Sequence, residues 1–206
     1  MTEAMSQGAV FAATSPGFAA PGRDAQAVFR AALTALSEPG RVIDLPVALD
    51  TGVPVGSAAL ALLLALADGD TPLWLDLRAS DAAGFFGFHT GAPVVAALQA
   101  ARFALIAEAA GCPPLHRFAL GEEEYPDRSA TLVVEVTSLE EGGPLILSGP
   151  GIADRRQLSL GGLAPSFLAD WAANHAAFPR GVDIFFTCGT RLCGLPRSIR
   201  LEGRCM

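Results

Sequence analysis

Lysine is absent from all 206 residues: the fourteen fixed positive charges are arginines, against 21 acidic side chains, for a formal net charge of −7. Without a lysine amine the chain cannot form the internal aldimine that holds pyridoxal phosphate, so no such cofactor is expected. An acidic chain also lacks the basic face with which nucleic-acid binders neutralise phosphates. The four cysteines, Cys112, Cys188, Cys193 and Cys205, include no CxxC pair and have no histidine at zinc-ligand spacing, so no metal site is expected. Cys188 and Cys193 flank a glycine-containing turn, which leaves a thiol pair open as an alternative reading. The GxSxG elbow and the HExxH helix of hydrolases are missing as well. The longest Ala/Leu run, Ala58 to Ala67, falls well short of the ~20 residues of a membrane span. The first ten residues contain Glu3 and no basic side chain, unlike a secretory leader, so a cytoplasmic protein is expected.

What is present is apolar: 51% of the residues are hydrophobic and the mean hydropathy is +0.40. That suits a well-packed α/β domain, or one that keeps apolar surface for partners. Residues 1–22, rich in Gly, Ala, Ser and Pro, read as a flexible N-terminal arm, and 23–206 as a single α/β domain. From Asp24, a plausible N-cap, Ala25, Phe29, Leu33 and Leu36 fall on one helical face, and "SEPG" (37–40) ends the element. Ser57 to Ala67 is apolar all round and reads as a buried helix. "LWLDL" (73–77) and "RFALIA" (102–107) read as strands, with "FFGFHTGAP" (85–93) as a short irregular or helical piece between them. "SATLVVEV" (129–136) and "PLILS" (144–148), separated by "EGG", suggest a hairpin that "RQLSL" (156–160) extends. A helix carrying Phe167, Trp171 and Phe178 on its apolar side is expected to stop at Pro179. "VDIFFT" (182–187) reads as a central strand and "RSIRLE" (197–202) as a strand nearer an edge. The sum is a mixed β-sheet flanked by helices.

Candidate chemistry is scattered. His89 and Thr90 close a turn that could present an imidazole and a hydroxyl together, whereas His175 reads as a hydrogen-bonded core residue and His116 has no evident partner. Asp127 and Arg128 make either a structural ion pair or a contact to an anion. Arg180 and Arg197 stand, like Arg128, just before strands, and three such arginines could converge on one anionic group. In "LILSGPGI" (145–152), Ser148, Gly149 and Gly151 make either an ordinary turn or a backbone cradle for a phosphate.

Seven strings stand in a recognisable order: "FRAALTALSEPGRV", "DTPLWLDL", "FHTGAP", "YPDRSATLVVEV", "LILSGPGI", "NHAAFPRGVDIFFT" and "LPRSIRL". Together, over about residues 24–202, they resemble the H subunit of the bacterial carbon–phosphorus lyase core complex, which serves phosphonate catabolism. The resemblance implies a fold like that of pyridoxal-phosphate-dependent transferases, reduced and without their cofactor site. It implies a homodimer that works with the G, I and J subunits, and with an ATPase-like subunit, to displace adenine from ATP with methylphosphonate. The product would be ribose 1-methylphosphonate 5-triphosphate. The resemblance assigns this subunit no chemistry of its own, so a scaffold or assembly subunit is expected. The alternative is a small phosphate- or nucleotide-binding enzyme, or vestigial transferase, with an Arg-lined cleft. The family supplies no phosphate contact for the Gly149–Gly151 turn, so the turn reading is preferred.

Overall fold

The computed structural model describes residues 15–203 of the chain, so Cys205 and most of the expected N-terminal arm lie outside it. Helix α1 (Pro21–Ser37) opens on a proline, whose fixed φ suits a first helical position and whose missing N–H would have no helical partner there. Asp24 is therefore not the cap but lies one turn inside, where its Oδ2 accepts the Ala20 N–H at 2.8 Å. The helix also buries a different face from the expected one. Asp24, Val28, Ala32 and Ala35 are buried, while Phe29 and Leu33 are 46% and 53% exposed. The cause lies in the sheet beneath. A methyl group on Gly194 would sit 2.5 Å from the Ala35 carbonyl oxygen, so the helix turns its small residues onto the strand to come that close.

The other elements are β1 (Ile43–Asp44), α2 (Ser57–Leu66), β2 (Leu73–Leu75), α3 (Ala83–Thr90), β3 (Phe103–Ile106), β4 (Thr131–Glu135), β5 (Ser138–Ser148), β6 (Arg156–Gly161), α4 (Phe167–Ala176), β7 (Asp183–Cys188), β8 (Arg191–Leu195) and β9 (Arg200–Gly203). They form a six-stranded sheet in the order β1-β8-β7-β4-β3-β2 and a three-stranded sheet β6-β5-β9. β2, β3, β4 and β7 run parallel; β8 pairs antiparallel with β7, and β1 with β8. The mixed α/β sheet is as expected, with β7 inside it and β9 at an edge of the smaller sheet.

The hairpin between 129–136 and 144–148 does not form. Leu132, Val133 and Val134 are all buried, so β4 is covered on both faces and pairs in parallel with β3 and β7. The "EGG" residues lie within β5 as a register shift, not as a turn. Gly142 has φ 142° there, and a Cβ on it would collide with the Leu160 carbonyl of β6. The antiparallel partners of 144–148 are β6, as the sequence suggests, and β9 on its other side.

Two cores sandwich the large sheet. Leu105, Val133, Phe185 and Leu192 face the layer of α1, α2 and α3, in which α2 buries Leu60, Leu62 and Leu63 completely. Ile106, Leu132, Val134, Ile184 and Phe186 face the small sheet and α4. There Trp171 is buried, and its indole N–H donates to the Ile199 carbonyl at 2.8 Å, which leaves no polar atom of the ring unsatisfied. Phe178, expected on the same apolar side, is instead 60% exposed beyond the end of α4.

The turn after β5 packs against the end of α1. Gly149 and Gly151 have φ values of 137° and 83°, and Gly151 lies against the end of α1, where a Cβ would clash with the Ser37 carbonyl and come within 2.8 Å of Pro39. Arg156 seals the junction by donating from one guanidinium nitrogen to the Glu38 and Pro39 carbonyls at 3.1 and 2.9 Å. Two of the seven strings, one holding "SEPG" and the other "LSGPG", thus fit each other.

Candidate functional site

The nine side chains and glycines singled out in the sequence fall in three separate places. Ser148, Gly149 and Gly151 belong to the turn seated on α1. His89 and Thr90 close α3. His89 Nε2 lies 2.9 Å from the Ser15 carbonyl oxygen, and a methyl on Gly17 would come within 3.0 Å of the imidazole, so this histidine pins the segment that leads into α1. Thr90 donates to the Phe86 carbonyl at 2.7 Å and accepts the Ala92 N–H at 3.1 Å, finishing the helix before Gly91 turns left-handed at φ 72°.

Asp127, Arg128, Arg180 and Arg197 are brought together. β4 and β7 are neighbours in register, Thr131 opposite Asp183, so the segments before them meet at the amino end of the parallel strands. Arg197 joins those segments. Its Nε and one terminal nitrogen grip Asp183 at 3.1 and 2.6 Å, and the Arg197 backbone N–H donates to the same carboxylate at 2.7 Å. Its guanidinium also reaches Ser129 Oγ at 2.6 Å and the carbonyls of Pro126 and Pro179 at 2.9 and 3.4 Å. The Arg197 and Asp183 side chains are 13% and 21% exposed, so this is a largely buried, fully partnered cation. Arg128 and Arg180 remain exposed, with the Arg128 guanidinium 4.0 Å from the centre of the Tyr125 ring. Asp127 is exposed and contributes its backbone carbonyl, which accepts from Arg102 at 3.4 Å. The side chains of Arg128 and Arg180 therefore do not share one bound group with Arg197, whose donors are already used.

α4 supports the same end. Asn174 Nδ2 donates to the Val182 carbonyl at 3.0 Å while its Oδ1 accepts the Val182 N–H at 2.8 Å, so the side chain pairs like a strand with the chain entering β7. Gly181, at φ 128°, leaves the room this needs, since a Cβ would lie 2.9 Å from Asn174 Oδ1. His175 is hydrogen-bonded as expected, its Nδ1 to the Arg197 carbonyl at 3.0 Å, and it is half-buried. Arg200 Nε donates to His175 Nε2 at 3.3 Å, which leaves Nδ1 to face the Arg197 carbonyl.

The opposite end of the parallel strands holds a cleft that sequence reasoning missed. A hollow of about 240 Å³ lies over the carboxyl ends of β3 and β4, lined by Arg78, Glu108, Glu135, Thr137 and Gly162 among others. Open α/β sheets place ligands at this end of their strands. Arg78 and Glu108 close the mouth as an exposed ion pair at 2.9 Å. Asp76 is held by the N–H groups of Ala79 and Ala107, both at 2.8 Å, and so holds the strand ends together. Glu135 ends β4 and accepts the Gly56 N–H at 2.7 Å, at the start of α2. Burial pushes the Glu135 carboxyl above its ordinary range and Asp76 adds to the rise, while the Gly56 bond opposes it. Thr187, opposite Glu135 in the neighbouring strand, is fully buried, and its hydroxyl has no hydrogen-bond partner among the described residues. The signal that could have found this edge was the acidic residue closing an apolar strand, Asp76 after "LWL" and Glu135 after "TLVV".

The thiols do not form a pair. In the β7–β8 hairpin Cys188 stands opposite Arg191 and Cys193 opposite Phe186. Burial raises the Cys193 thiol to about 12, and Cys112 likewise, which keeps both protonated. Among the described residues no group of three or more His, Cys, Asp or Glu side chains is arranged to hold a metal ion. No helix among them is long and apolar enough to cross a membrane.

Comparison with known proteins supplies the family. The chain is 45% identical over 190 residues, 91% of its own length and 95% of the relative's, to the alpha-D-ribose 1-methylphosphonate 5-triphosphate synthase subunit PhnH of Rhizobium meliloti (strain 1021). It is 34% identical over 182 residues, 86% of the chain and 87% of the relative, to a putative C-P lyase subunit protein, HtxG, of Stutzerimonas stutzeri. The family model for the bacterial phosphonate metabolism protein PhnH matches residues 16–202, and the chain belongs to that family.

Proposed function

We propose that this chain serves phosphonate catabolism as a subunit of the carbon–phosphorus lyase complex and has no turnover by itself. The observation that carries the reading is the match, over nearly its whole length, to a subunit of ribose 1-methylphosphonate 5-triphosphate synthase. The geometry agrees. His89 and His175 each bond a backbone carbonyl instead of activating a nucleophile, and Cys112 and Cys193 are held as thiols. The best-connected charged side chain, Arg197, is committed to joining loops. Homodimerisation, assembly with the G, I and J subunits in the cytoplasm, and a fold akin to the pyridoxal-phosphate-dependent transferases are the finer parts of the proposal.

Native mass spectrometry of the protein captured from cells growing on methylphosphonate as phosphorus source tests it. An assembly containing other subunits of the pathway is the expected result, and a protein free of them under those conditions would overturn it. A second reading rests on the exposure of Arg128 and Arg180 along one edge, where they could hold a phosphorylated ligand. It requires calorimetric heat when ATP or methylphosphonate meets the isolated chain, lost in Arg128→Ala or Arg180→Ala. Absence of heat at millimolar ligand would dispose of it.

A further inference from the structure

The two sheets end in β1, β2, β6 and β9, and β6 is the edge left open. β1 has only two residues. β2 is covered by the segment after α3: the Leu73 N–H donates to the Pro93 carbonyl and the Val95 N–H to the Leu73 carbonyl, both at 2.9 Å. β9 lies against α4, with Arg200 bonded to His175. β6 is six residues long and has β5 as its one strand neighbour among the described residues. Pro144 shows which of its groups point outward. It stands opposite Ser159 and has no N–H to exchange, so the bonded pairs of this ladder are the flanking ones, Gly143 with Leu160 and Leu145 with Leu158. Gln157 and Ser159 therefore turn their N–H and C=O groups away from β5, and none of these has a partner among the described residues. Soluble proteins block such an edge with a proline or a charge. Residues 157–161 carry neither, and Arg156 is drawn off to the Glu38 and Pro39 carbonyls.

Beside this edge, between β6 and the start of α4, lies a hollow of about 320 Å³ lined by Leu145, Leu160, Leu163, Phe167 and Leu168 among others, with no charged side chain in its wall. Leu145 and Leu160 face the core, so the hollow opens on the inner side of the small sheet. A free strand edge beside a helix is the setting in which extended peptides bind by strand addition: main-chain bonds give affinity, and a pocket for alternate side chains gives specificity. We infer that β6 takes up an extended segment of another subunit as an added strand, with an apolar side chain of that segment in the hollow against Phe167 and Leu168. The inference rests on the complex-subunit reading above. Two features set the occupant. The outward groups of Gln157 and Ser159, one residue between them, match the repeat of a strand backbone. The wall of the hollow offers nothing to pair with a charge, so an aliphatic or aromatic side chain fits and a charged one is excluded. On the outer side the segment runs past Gln157, which is exposed, so its side chains alternate apolar and polar.

Hydrogen exchange tests this on the full chain, purified alone and again within the assembly captured from cells growing on methylphosphonate, with single amides read by fragmentation in the mass spectrometer. The Gln157 and Ser159 amides are expected to exchange at least about tenfold more slowly in the assembly than alone, while those of Leu158 and Leu160, already bonded to β5, change less. Equal rates at 157 and 159 in an intact assembly would show that the edge is wrong while the function stands. Ser159→Pro removes one outward N–H and no bond to β5, and proline is tolerated at such edge positions. It is expected to weaken association at least about tenfold with little change in melting temperature. Leu168→Glu leaves the strand intact and sets a charge at the hollow, with the same expected loss, so the inference stays open to refutation if the proline variant fails to fold. Association of Leu168→Glu within twofold of the parent would overturn it. Exchange at 157 and 159 that slows as the purified chain is concentrated would make a second copy the occupant and overturn the choice made here. If the captured chain carries no other subunit, the proposed function fails and the inference goes with it.

Discussion

The two ends of the parallel strands in this protein are built by opposite means. At the amino end the charged groups are neutralised by each other: Arg197 and Asp183 are largely buried together, and every donor of the guanidinium finds an acceptor. At the carboxyl end the half-buried carboxylates are held by backbone donors instead. Asp76 is satisfied by two backbone N–H groups and Glu135 by one, at the start of a helix. An ion pair fixes geometry strongly but is intolerant of losing either member, whereas backbone donors stabilise a carboxylate and leave it able to titrate. The first end is thus suited to holding a shape and the second to responding to pH.

Removing Arg197 is the most damaging way to break this contrast. Arg197→Ala leaves Asp183 without its partner and is expected to lower stability by about 3–5 kcal/mol, read from denaturant unfolding. A variant within 1 kcal/mol of the parent, on the same rough scale, would show that the amino end is not held by this pair. Next comes the carboxyl end. A methyl at Gly56 would collide with Glu135 Oε1, so Gly56→Ala is expected to displace the carboxylate and lose its bond to the start of α2. The cost should be about 1–2 kcal/mol, visible as a lower melting temperature, and an unchanged one would remove Glu135 from its role there.

Glu135→Gln sharpens the comparison through pH. The Glu135 carboxyl titrates higher in the folded chain than unfolded, so the folded state binds more protons between the two values. Stability from this group is therefore present below the unfolded value and is lost as pH rises through the folded one. The glutamine keeps an acceptor for the Gly56 N–H without the charge, so its stability relative to the parent should climb from pH 4 to pH 8. A constant difference across that range would sink the argument. At the thiols, the fully buried Cys193 should resist iodoacetamide at pH 8 until the chain unfolds, and the half-buried Cys112 should react slowly, since burial raises both. Rapid native labelling of Cys193 would show that its burial is transient. The smallest effect is expected at the rim of the amino end, where Arg128→Ala should change stability by less than about 1 kcal/mol, since only an exposed ring contact is lost.

What could be read from the sequence tracks how local the deciding interaction is. α2, β7 and the β5–β6 pair announce themselves because a run of apolar residues of the right length needs no distant partner to identify it. The face of α1 was misread because Phe29 and Leu33 look like core, and what turned the helix was Gly194, more than 150 residues away in the chain. The hairpin failed for a similar reason: glycines such as Gly142 are turn residues in most settings, and here Gly142 admits the close approach of β6. For the candidate site, the sequence placed three arginines at the starts of strands, and the structure does gather them at one end. It could not show that Arg197 was already saturated, because its acceptors, Pro126, Ser129, Pro179 and Asp183, are gathered only by the parallel pairing of β4 with β7. The carboxyl-end cleft depends on three strand ends meeting and leaves only the isolated acids Asp76 and Glu135 as a trace.

The junction between the Gly149–Gly151 turn and the end of α1 sets where this chain can be lengthened. Surface turns with glycine and proline are the usual place to insert a tag or to open new termini. Here the most turn-like string in the sequence has the backbone of another turn lying against it, with Arg156 pinned across the pair, so an added residue has nowhere to go. The acidic loop at Glu122–Glu124 reads as no more permissive, yet it is exposed on every residue and should accept an insertion that the glycine turn refuses.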